Sequence, residues 1–82
     1  MMTNIEFRKR VESELDKVCL IVERSGTQVT AHLMVDPDSG HSFADIYGVE
    51  GHLLHYRAKS IDELSRQLEA VRTTLETLEE QG

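Results

Sequence analysis

With a single cysteine, Cys19, the chain can form no internal disulfide. Its four histidines and this one thiol show none of the spacings of a structural metal site, and no metal or cofactor is expected. There is no tryptophan, and only Phe7, Phe43, Tyr47 and Tyr56 supply aromatic rings, so any core is thin. One proline, Pro37, leaves nearly the whole chain free to enter helices or strands. No apolar run approaches the roughly 20 residues that span a bilayer. The first ten residues, MMTNIEFRKR, hold no apolar signal core, so a cytoplasmic protein is expected.

Positive charge is also scarce. Nine basic residues face fifteen acidic ones, for a net charge of −6. Residues 1–24 balance to zero, whereas residues 60–82 carry six acids and two bases. An acidic surface repels phosphate backbones and disfavours general nucleic-acid binding. Catalytic signatures are missing too: the chain contains no G-x-S-x-G, Walker loop, G-x-G-x-x-G or H-E-x-x-H. Cys19 lies in the most apolar stretch, where burial makes a thiol inert rather than nucleophilic. No enzyme activity is expected.

What the chain does have is a patterned last third. Ile61, Leu64, Leu68, Val71, Leu75 and Leu78 recur with gaps of three, four, three, four, three. That is the a/d pattern of a helix lying along another helix. The flanking e and g positions, Ser65, Gln67, Arg72, Thr74, Glu79 and Gln81, are polar throughout. A helix that only covers its own sheet has a wider apolar face. These six residues are therefore read as a helix-to-helix interface, with packing on the chain's own sheet as the alternative. Eighty-two residues bury only about 60–65% of the surface of the unfolded chain, so a partner subunit is the natural support.

The remaining elements follow from local chemistry. Thr3 and Glu6 have the spacing of a capping box, and Phe7, Val11 and Leu15 follow at four-residue intervals. A helix is expected from about residue 4 to at least 16. Val18-Cys19-Leu20-Ile21-Val22 has two readings: a strand over 17–24, or a continuation of the helix. The strand is preferred, because Cys19, Leu20 and Ile21 would point around half of a helix. Gln28 to Val35 alternates, Asp36-Pro37-Asp38-Ser39-Gly40 is a loop, and Ser42–Gly48 and His52–Ala58 flank a Gly48-Val49-Glu50-Gly51 turn. Ser60 and Glu63 start the last helix with a second capping box, and Asp62–Arg66 and Arg72–Glu76 are i,i+4 pairs within it. The expected fold is one α+β domain over 1–82: an N-terminal helix, a meander of three to four antiparallel strands, and a long C-terminal helix.

Two small constellations have plain structural readings. Asp36-x-Asp38-x-Gly40 lacks the glycine and glutamate positions of a calcium loop and reads as a turn. His41, His52 and His55 lie in strand territory, where residues three apart point to opposite faces and do not converge on a metal.

The order of elements resembles that of a double-stranded-RNA-binding domain. That resemblance implies a basic cluster at the start of the last helix, where this chain has the acidic Ser60-Ile61-Asp62-Glu63-Leu64. The leading expectation is thus a non-enzymatic protein–protein interaction module acting as a homodimer: a small acidic adaptor, chaperone or phage-type inhibitor. The alternative is a nucleic-acid-binding regulator using Arg8, Lys9, Arg10, Arg57 and Lys59.

Overall fold

A computed structural model describes residues 3–82. Helix α1 spans Asn4–Glu23, strands β1, β2 and β3 span Thr30–Val35, Ser42–Gly48 and Gly51–Ala58, and helix α2 spans Ile61–Gln81. The three strands form one antiparallel meander with β2 in the middle. This is the expected α+β fold in its three-stranded form.

Both helix starts follow from their first residues. The Thr3 hydroxyl accepts from the Glu6 N–H at 3.2 Å, and the Glu6 carboxylate accepts from the Thr3 N–H at 3.4 Å. Ser60 Oγ accepts from the Glu63 N–H at 3.2 Å. The Glu63 carboxylate reaches back to the Lys59 N–H, one residue short of the usual box.

Residues 17–24 correct the preferred reading. They form no strand; α1 runs unbroken through Glu23, and Arg24 caps it by donating to the Leu20 carbonyl at 3.1 Å. Val11, Glu14, Leu15, Val18 and Ile21 are its buried residues, at spacings of three and four. Cys19 and Val22 flank this stripe, half-buried against the core, while Leu20 is 53% exposed. A lone amphipathic stripe would leave such a broad apolar arc uncovered. Here the helix is covered twice, by the sheet below and by α2 alongside, so a wide arc is what the position needs.

That correction also sets the direction of α2. With tight connections each strand reverses the chain, so an odd number of strands returns it to the end where α1 began. The two helices therefore run side by side in the same direction. Asn4, Ile5 and Arg8 at the start of α1 share a cleft with Ser60 and Ile61 at the start of α2. At the far ends, Arg24 Nη1 donates to Glu79 Oε1 at 2.7 Å. A fourth strand would have made the helices antiparallel.

The core lies between the helices and one face of the sheet. Val11, Leu15 and Val18 of α1 and Ile61, Leu64 and Leu68 of α2 meet Ala44 and Ile46 of β2 and Ala58 of β3. Ala31, Leu33, Val35, Leu54 and Tyr56 border it. Burial holds the Tyr56 phenol above its ordinary pKa.

One charged group crosses this layer. Glu14 is 7% exposed and accepts from Arg72, which also donates to Glu76 at 3.0 Å. Among the described residues no buried side-chain polar atom lacks a partner. Breaking a buried pair on one side strands the other charge, whereas replacing both with apolar groups is often neutral. Arg72→Met is accordingly expected to lower the melting temperature clearly more than Arg66→Met, which removes only the exposed pair with Asp62. Adding Glu14→Leu to Arg72→Met should recover much of the loss. Thermal melts of the four-member cycle check this.

Candidate functional site

Because both helices lie on one face of the sheet, the opposite face is uncovered. Period-two alternation assigns its residues. From β2 come Phe43, Asp45 and Tyr47, each half-buried by its neighbours. The pairing then builds three rows across the sheet. Thr30, Tyr47 and His52 form one, His32, Asp45 and His55 the next, and Met34, Phe43 and Arg57 the third.

The rows are joined by specific contacts. The Tyr47 and His52 rings stack with centroids 4.3 Å apart and planes at 27°, and His32 meets Tyr47 edge-on at 5.4 Å. The Arg57 guanidinium lies 5.3 Å from the Phe43 ring centre. Asp45 Oδ1 sits at the junction, 3.2 Å from His52 Nε2 and in closer contact with His55 Nδ1. The contact with His55 is the main reason the Asp45 carboxyl is held below its ordinary pKa; burial opposes it, and His52 adds a lesser lowering.

The convergence of His52 and His55 overturns the expectation that they face apart. Tyr47 pairs with His52, Asp45 with His55, and the register shifts between Ile46 and Tyr47. Leu53 is the extra residue of a β-bulge, so residues three apart share a face. The Leu53 side chain folds over Gly48, 3.0 Å from where a Cβ would stand there. Gly51, at φ +130°, makes the turn that sets this pairing. A signal was present in the sequence: the Leu53-Leu54 doublet breaks the alternation of β3. Asp45 carried no signal of its own, since its partnership exists only once the strands pair.

His41 does not join the cluster. It lines a shallow cleft with Arg57, Ala58, Lys59 and Glu63, at the start of β2. Cys19 is half-buried on α1, and its thiol pKa is raised first by burial and then by Glu23 and Asp16.

The six residues read as an interface divide into two groups. Ile61, Leu64 and Leu68 are buried within the subunit, in the core. Val71 and Leu75 are half-buried and, with Ala70 and Thr74, line an open apolar trough on α2. Leu78, one step further, is 57% exposed. Of the five bases of the nucleic-acid alternative, Lys59 adjoins both Arg8 and Arg57. Arg8, paired to Glu12 at 3.3 Å, shares the cleft at the helix starts with Lys59, while Arg57 lies over Phe43 on the open sheet face.

No family model, curated protein or solved structure matches the chain. Among the described residues, no helix is long and apolar enough to cross a membrane.

Proposed function

We propose that this chain is a non-enzymatic protein-interaction module that acts as a homodimer through the C-terminal half of α2. The reading rests on one observation: the heptad stripe continues from the buried core through Val71 and Leu75, half-buried at its edge, to Leu78, which is exposed beyond it. A stripe needed only for the subunit's own core would stop with it.

Electrostatics supports the same surface. Two copies of an acidic helix would repel, but two of the acids on this half of α2 are paired within the subunit. Glu76 is held by Arg72 and Glu79 by Arg24. The apolar strip is left open to a second copy at a modest cost in like charge. In a seam of this kind, half-buried leucines become fully buried, each contributing on the order of 1 kcal/mol or more.

Sedimentation equilibrium at micromolar concentration tests the proposal. A monomer–dimer equilibrium is expected, with a wild-type melting temperature that rises with protein concentration by mass action. The double variant Leu75→Glu, Leu78→Glu should sediment as a monomer with an unchanged circular dichroism spectrum, because Leu78 lies outside the core and Leu75 borders it. A wild type that stays monomeric, with a melt independent of concentration, overturns the reading.

A further inference from the structure

We propose that Asp45, His52 and His55 form a binding site for a divalent transition-metal ion, with zinc as the ordinary occupant. The site is separate from the α2 strip and independent of the homodimer reading.

The three side chains converge. One ligand atom from each residue lies within 4.8 Å of the other two. Around an ion with bonds of about 2.0–2.1 Å, neighbouring ligand atoms stand about 3.3 Å apart. Asp45 Oδ1 and His52 Nε2 are already at 3.2 Å. Small side-chain rotations therefore place all three around one ion, with no backbone movement.

The ligands are also held in place by their neighbours. Asp45 is on the central strand, and its side chain is 18% exposed. His52 is stacked on Tyr47, and Tyr47 is braced by His32. The bulge at Leu53 brings His52 onto the face of His55. Packed rings and paired strands restrict the ligands before any ion arrives, which reduces the ordering that binding requires.

The donor set selects the ion. Two imidazole nitrogens and one carboxylate oxygen suit zinc, cobalt, nickel or copper, whereas magnesium and calcium prefer all-oxygen shells. All three ligands rise from the sheet, so they occupy one side of the ion. The remaining coordination positions point to solvent, where water or a side chain of another protein can fill them. The two histidine side chains are 55% and 47% exposed, so moderate affinity is expected, not the tight binding of an enclosed structural site.

The test is calorimetric titration of the chelator-treated full chain with zinc chloride. One zinc per chain with a micromolar dissociation constant is expected, and cobalt should bind at the same stoichiometry. His52→Ala, His55→Ala and Asp45→Asn should each weaken binding at least about tenfold, since the loss of a direct ligand costs no less than the loss of an outer-shell partner. His41→Ala should bind as the wild type does, and millimolar magnesium should not compete. In the unaltered protein, NMR of the imidazole rings should show His52 and His55 shifting first on zinc addition. The wild-type measurement keeps the test independent of any variant's folding. Absence of zinc binding, binding that survives His52→Ala with His55→Ala, or shifts confined to His32 or His41 would overturn the proposal.

Discussion

Leu68→Glu is expected to leave the chain largely unfolded at 25 °C. Leu68 is fully buried on α2, in the cluster where both helices meet β2 and β3. Its loss removes about 2 kcal/mol or more of apolar burial. The glutamate that replaces it must be desolvated without a partner, at a cost of several kcal/mol more, or break the packing to reach water. A domain of this length has a total stability of about 4–12 kcal/mol, so the change consumes most or all of it. Far-ultraviolet circular dichroism and a thermal melt measure the effect. Leu78→Glu, on the same helix and the same heptad stripe, is expected to fold normally because Leu78 already faces solvent. A folded Leu68→Glu protein with a cooperative melt near that of the wild type would contradict the placement of Leu68 in the core.

The second large effect concerns the segment whose conformation local sequence left open. Leu20→Pro should destabilise the protein by about 3 kcal/mol or more, because proline removes the helical N–H that donates to residue 16 and clashes with that carbonyl. The turn that follows carries Ile21 into the core, presents the Leu20 carbonyl to Arg24, and leads to the Arg24–Glu79 pair. All three depend on the helix continuing. Leu20→Ala is the matched control. With its side chain mostly in solvent and alanine a strong helix former, the melt should move little. A strand over 17–24 at the edge of the sheet would have tolerated proline wherever its N–H faced water. Near-equal melts for Leu20→Pro and Leu20→Ala would therefore speak against the continuous helix.

Local chemistry made much of the fold legible. Thr3 with Glu6, and Ser60 with Glu63, marked both helix starts because a cap needs only a side chain three residues from a free N–H. The Asp36–Gly40 loop was equally plain. There, the Asp36 carboxylate accepts from the Asp38 N–H, and Gly40 takes a positive φ. Asp62–Arg66 and Arg72–Glu76 form as i,i+4 spacing indicates. Alternation over Gln28–Val35 marked β1, and the Gly48–Gly51 turn marked β2 and β3 on either side of it. Each of these features is decided within a few residues, so the sequence carries it without help.

Tertiary structure decided the rest. Whether 17–24 is helix or strand depended on how much of its apolar arc other elements cover. The answer came from the sheet and α2 together, and it fixed the number of strands and the direction of the second helix. The heptad stripe of α2 looks uniform in sequence. Only the extent of the core divides it into Ile61, Leu64 and Leu68 inside, and Val71, Leu75 and Leu78 at or beyond the edge. Asp45, His52 and His55 are brought together by strand pairing and one extra residue in β3. The sequence by itself determined which conformation most short segments take, because backbone and nearby side chains set that locally. Burial and convergence are properties of surfaces from distant segments, and they exist only when the chain has folded.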